Sequence, residues 1–348
     1  VFELQSGVWT ETAKLVPSDR AANDYFGYSV SISGERAIVG ATGEDENATG
    51  GNTLASAGSA YIFELQSGVW TETAKLVASD RGADDQFGAS VSISGDKAIV
   101  GAPDEQEDAA GGNTLYRAGS AYVFELQSGV WTETAKLVAF DRAEEDWFGW
   151  SVSISGDRVI VGSWREDEDA ADGNTLNDAG SAYVFELQSG VWAEAAKLVA
   201  SDRAADDNFG YNVCISGDKA LIGAINEDED TTGNNTLSGA GAVYFFNFNC
   251  LTTPNSNITI TGNTLTADET DATYQWLDCD NGNAAISGAT EQSYSPGVSG
   301  NFAVEVTVTI GACSNTVTSA CQSFSFVGLE ENAQNNFSVH PNPTSNSL

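Results

Sequence analysis

The stretch Phe26–Ala41, FGYSVSISGERAIVGA, returns three times: FGASVSISGDKAIVGA from Phe87, FGWSVSISGDRVIVGS from Phe148 and FGYNVCISGDKALIGA from Phe209. Each start lies 61 residues after the one before. A fixed period of this order marks a stacked or circular repeat architecture and outweighs local propensity. In the second copy FGASVSIS (Phe87–Ser94) alternates, with Val91 and Ile93 on one face and serines on the other. Ser94-Gly95-Asp96-Lys97 is a tight hairpin turn. KAIVGAP (Lys97–Pro103) is a continuous apolar run, as expected of a strand covered on both faces. After an acidic loop comes GSAYVFELQ (Gly119–Gln127), and Ser128-Gly129 turns the chain into VWTETAKLVA (Val130–Ala139). That last segment holds helix formers. Its alternation through Trp131, Glu133, Ala135 and Leu137 nevertheless predicts a strand, with Glu133 and Lys136 protecting an outer edge. Four short antiparallel strands per repeat predict an all-β fold, a β-propeller of four-stranded blades.

On these residues the chain resembles the FG-GAP repeat, which builds the propeller of integrin α chains and of many bacterial surface proteins. Phe87-Gly88 and Gly101-Ala102-Pro103 match both halves of its motif; the other copies keep Phe-Gly and vary the second half as Gly40-Ala41-Thr42, Gly162-Ser163-Trp164 and Gly223-Ala224-Ile225. The resemblance covers residues 1–249 and implies blades starting near 26, 87, 148 and 209. Phe2 and Trp9 align with Phe63 and Trp70, so residues 1–16 read as the outer half of a partial blade. Cys250 stands where the last blade would turn into its fourth strand. Residues 8–16 either close a four-bladed ring there, or the four repeats are an arc of a larger ring. The opening in mid-repeat and the absence of methionine favour the arc, in a fragment of a longer chain.

Fourteen Lys and Arg against 50 Asp and Glu give the 348 residues a formal charge of −36. Nucleic acid binding needs a basic surface to release counterions, so that class is excluded, as is docking on anionic lipid. No run approaches the ~18 apolar residues of a transmembrane helix.

The connection between the second and third strands gathers acid: Glu44, Asp45, Glu46 and Asn47; Glu105, Glu107 and Asp108; Glu166, Asp167, Glu168 and Asp169; Glu227, Asp228, Glu229 and Asp230. Closely spaced carboxylates before a Gly-Asn turn are hard oxygen ligands suited to Ca²⁺, which is the expected cofactor; the alternative is a solvated acidic surface. Integrin-type blades hold calcium on an Asp-x-Asp-x-Asp-Gly loop between the first and second strands. That loop is here only Ser94–Lys97 and its copies, so the family's metal residues do not carry over. A second acidic connection precedes each Phe-Gly (Asp24; Asp84 and Asp85; Glu144–Asp146; Asp206 and Asp207), following Arg20, Arg81, Arg142 and Arg203, which suggests local ion pairs. Trp147, Trp150 and Trp164 concentrate in the third repeat and suit a stacking surface for a sugar or protein ligand, with inter-blade packing as the alternative. The one histidine, His340, lies outside the repeats, so no Ser-His-Asp or Cys-His arrangement can form in them. Acids repeated in every blade look architectural, and an enzymatic role is not expected.

From Cys250 the composition shifts to Thr, Asn and Ser, and Asn257–Ala267, Ala272–Cys279, Ser293–Thr309 and Ser319–Phe326 read as strands of a small β-sandwich over 250–327. Trp276 beside Cys279 makes this segment similar to immunoglobulin-like modules near the C-terminus of bacterial secreted proteins. Cys250, Cys279, Cys313 and Cys321 suggest an extracellular disulfide framework with three possible pairings, Cys313–Cys321 with Cys250–Cys279 being one. Cys214, a serine in the other copies, reads as a buried free thiol. Residues 328–348 contain FSVHPNPTSNSL, which resembles the start of a type IX secretion sorting domain with His340 in place of the usual aromatic. That resemblance implies export by the type IX machinery to the outer-membrane surface or the medium. The expectation is a secreted, non-enzymatic propeller for adhesion or ligand recognition. Alternatives are a structural spacer, or an accessory part of a larger carbohydrate-active enzyme.

Overall fold

A computed structural model describes residues 1–326 apart from 52, 113, 170–172, 174, 231–235, 249–253, 271 and 311–312. The chain divides into two compact units, Val1–Asn247 and Phe248–Leu348. The first opens with a hairpin of β1 (Phe2–Gln5) and β2 (Val8–Glu11). Three four-stranded sheets come next: β3 (Phe26–Ser33), β4 (Arg36–Ala41), β5 (Ser59–Gln66) and β6 (Val69–Leu76); β7 (Ser90–Ser94), β8 (Lys97–Ala102), β9 (Ser120–Gln127) and β10 (Val130–Leu137); β11 (Ser151–Ser155), β12 (Arg158–Ser163), β13 (Ser181–Gln188) and β14 (Val191–Leu198). A three-stranded sheet of β15 (Phe209–Ser216), β16 (Lys219–Ala224) and β17 (Ala242–Asn247) closes the unit. Every sheet is an antiparallel meander in chain order, the blade predicted from the repeat.

Two turn chemistries set each blade. Gly95, at φ 59°, takes the first central position of the β7–β8 turn, which suits the II′ geometry that matches strand twist. Ser128 and Gly129 both have positive φ (51° and 84°) between Gln127 and Val130, a I′ turn. The ambiguous segment is a strand, β10, but its register slips between Glu133 and Ala135. After that bulge Lys136 lies opposite Tyr122, and its side chain is buried rather than guarding an outer edge.

Blades stack through a shared core. Ile38, Ile62 and Leu76 of the first pack with Phe87, Val91 and Ile93 of the second, and Ile99, Val123 and Leu137 with Phe148, Val152 and Ile154 across the next seam. The contact is closer than side chains alone would allow. A Cβ at Gly101 would sit 2.0 Å from the Gly149 carbonyl oxygen, as would one at Gly40 from that of Gly88. The serines opposite the apolar face stitch the same seam: Ser31 and Ser92 Oγ accept from the backbone N–H of Ile93 (3.2 Å) and Ile154 (3.1 Å) in the following blade.

The closed four-bladed ring does not form. β2 pairs with β1, and β17 has no strand partner on its outer side among the described residues. Where β8 and β12 are buried from their second residue on, β16 has exposed positions between buried ones, because nothing among the described residues covers one face of the last blade. Cys214 lies on that face and is a free thiol that is exposed, not buried.

In the second unit β18 (Ile258–Thr261), β19 (Thr264–Ala267) and β22 (Ser293–Tyr294) form one sheet; β20 (Thr273–Asp278), β21 (Ala284–Ala285), β23 (Gly300–Ile310), β24 (Cys313–Thr318) and β25 (Gln322–Phe324) form the other. They share a core of Leu265, Trp276, Phe302, Val304 and Phe324, and Trp276 Nε1 donates to the Glu291 carbonyl at 2.9 Å. Cys279 is bonded to Cys321, which overturns both the Cys313–Cys321 and the Cys250–Cys279 pairing. Register gives the reason. Asp278 and Gln322 both lie opposite Phe302, which brings Cys279 and Cys321 to one end of the sheet, whereas Cys313 faces Ile310 at the other. Cys250 and residues 328–348 lie outside the described residues.

Gly101→Ala should therefore cost about 1–3 kcal/mol through overpacking at the seam, whereas Gly223→Ala, whose Cβ meets nothing nearer than 3.8 Å, should stay within about 0.5 kcal/mol of the parent. Denaturant midpoints of the two variants measure the difference; equal midpoints would show that the seam is looser than its geometry.

Candidate functional site

The first acid of each loop turns inward. Glu44, Glu105, Glu166 and Glu227 are nearly inaccessible, and each accepts the N–H two residues on, Glu107 N–H to Glu105 at 2.8 Å being typical. The burial is compensated by a recurring quartet. In the first blade Lys75 Nζ lies 2.7 Å from Asp19 Oδ2 and 3.3 Å from Glu44 Oε1, while the Tyr61 hydroxyl donates to Glu44 (2.8 Å) or Asp19 (3.0 Å). The second blade repeats it with Lys136, Asp80 (2.7 Å), Glu105 (2.5 Å) and Tyr122, the third with Lys197, Asp141 (2.5 Å), Glu166 (3.3 Å) and Tyr183. In the fourth, Tyr244 reaches Asp202 and Glu227, both at 2.7 Å. Burial opposes the charge on Lys136 and Lys197, but hydrogen bonds and attraction from their Asp and Glu partners prevail and hold both ammonium groups above the ordinary lysine range. Burial, reinforced by the carboxylates, drives Tyr61, Tyr122, Tyr183 and Tyr244 far up, so each phenol remains a donor.

The next acids hold their own loops. Asp45, Asp167 and Asp228 accept the N–H of Ser56, Asp178 and Gly239 at 2.6–2.8 Å. Asn47 accepts from Thr49 and Gly51, Asp108 from Ala110 and Gly112, and Asp169 from Gly173; Asp230 holds the corresponding position in the fourth loop. That leaves Glu46, Glu107, Glu168 and Glu229. Glu107 is pushed up to about 7, first by a hydrogen bond shared with Glu105 and then by burial. Among the described residues no three His, Cys, Asp or Glu side chains converge as a metal-ligand set. The arginines before the second, third and fourth Phe-Gly reach across the seam: Arg81 donates to the Asp45 carbonyl (2.9 Å), Arg142 to that of Gln106 (2.8 Å) and Arg203 to that of Asp167. The acids beside them cap local turns, Asp85, Asp146 and Asp207 accepting from Gly82, Ala143 and Ala204.

One feature does not repeat. Trp147, Trp150 and Trp164 form a mutually packed cluster with centroid separations of 5.2, 5.5 and 5.8 Å, and Tyr211 of the next blade joins at 5.5 Å from Trp150 and 5.6 Å from Trp164. Arg117 lies 5.3 Å from the Trp147 centroid and Arg165 5.2 Å from that of Trp164. Asp104 holds Arg117 at 3.1 Å, and Asp178 holds Arg165 at 3.1 Å. All four aromatic residues are half-buried, yet the Trp147 and Trp164 Nε1 atoms are buried without an acceptor. Trp147 has φ 58°, in line with Tyr25, Gln86 and Asn208 at 55–57°; the fold imposes this left-handed position before every Phe-Gly, and the indole is the part peculiar to this blade.

The FG-GAP repeat family model matches residues 9–63, 70–124, 131–185 and 192–246, more than half of the chain. The chain belongs to the FG-GAP repeat family. Comparison with the curated proteins returns no match. The FG-GAP frame is offset from the blades: each match starts in the outer strand of one blade and ends in the third strand of the next, so every outer strand leads directly into the following blade.

Sequence reasoning singled out the acids of these FG-GAP loops but missed the lysine and tyrosine that meet the first of them. The signal was present in the 61-residue recurrence of Tyr61, Tyr122, Tyr183 and Tyr244 and of Lys75, Lys136 and Lys197. Arg117 and Arg165 were missed because they come from different loops.

Lys136→Met should destabilise by about 3 kcal/mol, because it strands Glu105 and Asp80; a loss in urea below about 1 kcal/mol would show that the quartet is solvated. Burial first, then the negative charge of neighbours, raises Asp146 to about 8 and Asp85 and Asp207 to about 6. An acid raised above its unfolded value of about 4 contributes stability that is complete below that value and is lost as pH rises to the folded one. Asp146→Asn, which keeps an acceptor for Ala143, should therefore flatten the fall in Tm between pH 5 and pH 8. An unaltered slope would remove Asp146 as its source.

Proposed function

We propose that this FG-GAP chain is a secreted or surface-exposed, non-enzymatic recognition protein that binds an extracellular protein or glycan at the third blade. The observation that carries the reading is the Trp147–Trp150–Trp164–Tyr211 cluster, with Arg117 and Arg165 lying over its indoles. Half-buried aromatic faces flanked by guanidinium groups suit a ligand that stacks and accepts hydrogen bonds. The other blades place Gln86, Ala89 and Pro103, or Tyr25, Tyr28 and Thr42, at the same three positions, so packing of the blade does not demand tryptophan. The Cys279–Cys321 disulfide supports an oxidising destination. Two sheets closed on Trp276 support an immunoglobulin-like second unit, and FSVHPNP near the end supports type IX export. Adhesion is the role in which a rigid propeller presenting one aromatic site fits these features. Calcium belongs to the proposal through the hard carboxylate oxygens of the acidic loops, Glu46, Glu107, Glu168 and Glu229 among them.

Replacing Trp147→Gln, Trp150→Ala and Trp164→Pro gives the third blade the residues of the second, which already fold at those positions. Screening glycan and protein arrays should reveal ligands that this variant binds at least 30-fold more weakly, about 2 kcal/mol. Undiminished binding would move the site elsewhere. Titration with Ca²⁺ should raise Tm in the parent and not in a variant carrying Glu46→Gln, Glu107→Gln, Glu168→Gln and Glu229→Gln together; no rise in the parent would take calcium out of the proposal and leave the aromatic site standing.

A further inference from the structure

Departures from the repeat gather in the second blade, beside its seam with the third. Asp45, Asp167 and Asp228 each accept a loop N–H, and the second loop has Gln106 in that place. Tyr116 and Arg117 stand where the other copies have Ala55 and Ser56, Asn177 and Asp178, and Ser238 and Gly239. Asp104 stands where they have Gly43, Arg165 and Asn226. None of these four residues recurs at its position, yet with Asp84 and Gln86 they line one pocket of about 310 Å³. Its walls are polar and already fixed. Arg117 Nε lies 3.1 Å from Asp104 Oδ1, and Gln86 Nε2 donates to Asp104 Oδ2. Tyr116 supplies an exposed ring, with the Arg117 guanidinium 4.9 Å from its centroid.

Arg117 also joins this pocket to the tryptophans, since its guanidinium stands 5.3 Å from the Trp147 centroid. The backbone carbonyls of Tyr116 and Arg117 accept the N–H of Glu145 (2.8 Å) and Trp147 (3.0 Å). That pair of bonds clamps the loop of the second blade to the residues leading into the third. The same clamp joins Ser56 to Gln86 and Asp178 to Asn208 at the neighbouring seams. Here it sets a tyrosine and an arginine against a tryptophan, so Tyr116, Arg117 and Trp147 follow one another in fixed order.

We propose that pocket and cluster are two subsites for one neutral oligosaccharide. The tryptophans and Tyr211 stack on one sugar unit, Tyr116 stacks on another, and Gln86, Asp104 and Arg117 bond the hydroxyls of the chain. The inference rests on the aromatic cluster being a binding surface and adds the class of ligand and a second point of contact. The polar walls select a glycan over a protein. Amide, carboxylate and guanidinium groups offer donors and acceptors to neighbouring hydroxyls, whereas an apolar side chain in the pocket would leave them unpaired. Charge selects a neutral sugar. Asp104 compensates Arg117 and Asp178 compensates Arg165, both at 3.1 Å, and a chain of formal charge −36 repels a polyanion. Two subsites also impose a preference for ligand length that one aromatic patch would lack.

An array of neutral glucans, mannans, galactans and xylans, from mono- to hexasaccharide, tests this on the full chain, with calorimetric titration of the strongest binder across its length series. Affinity should climb about tenfold once both subsites are filled, the worth of one added aromatic contact. Ala55 occupies the position of Tyr116 in the first blade, so Tyr116→Ala should fold with the circular dichroism of the parent, and it should erase that climb. The variant carrying Trp147→Gln, Trp150→Ala and Trp164→Pro should lose binding at every length. Neutral sugars bound without dependence on length, or a climb that survives Tyr116→Ala, would overturn the second subsite and leave the aromatic reading intact. So would a tryptophan-dependent ligand that is acidic or a protein, with no neutral sugar bound. Neutral-sugar binding undiminished in the tryptophan variant would overturn both readings.

Discussion

Neighbouring blades meet backbone to backbone, and that closeness governs the rest of the repeat unit. The carbonyl of Gly149 occupies the space a methyl group at residue 101 would need, so a glycine is required there and the Phe-Gly of the next blade is locked against it. The serines answer the same constraint. At this separation a small side chain whose oxygen accepts an N–H from the following blade is worth more than a larger apolar one. The bulk displaced from the seam is recovered beside it, where Val91 and Ile93 fill the space between sheets. Stability of the repeats is therefore largely a sum of nearest-neighbour contacts between blades.

Charge is handled by the same local logic. With 50 acids against 14 bases, the chain still buries a glutamate in each blade, and in the first three the bulge in the outer strand delivers a lysine to meet it. Lys136 is drawn in by the register slip at Glu133 and Ala135, and the Tyr122 hydroxyl donates to Asp80 Oδ1 while the ammonium takes Oδ2. The acidic loop is thus anchored at its first residue. Later loop positions can vary in sequence without loosening the blade.

The blade was legible in the sequence because its determinants are short-range: hairpin turns, alternation and a 61-residue period. The quartets were not, since a lysine in an alternating strand reads as solvent-facing until the bulge reverses it. The disulfide was misread for a related reason. Cys313 and Cys321 are near in sequence, but an eleven-residue β23 carries them to opposite ends of the sheet, while Cys279 and Cys321 meet through strand pairing. The tryptophans were recognised as exceptional by departure from the repeat, whereas the Arg117 and Arg165 that stack on them required the assembled loops.

That departure has a structural logic of its own. The residues that vary from blade to blade, Tyr25, Gln86, Trp147 and Asn208 before the Phe-Gly and Tyr28, Ala89, Trp150 and Tyr211 after it, flank positions that cannot vary. The seam fixes the backbone through glycine and phenylalanine and leaves the side chains on either side unconstrained by core packing. All four residues before the Phe-Gly share one left-handed conformation whatever their size, so the scaffold presents glutamine, tyrosine or tryptophan from the same place at the same angle. A fold built this way can acquire a binding surface by substitution beside its most rigid element, without remodelling the blade that carries it.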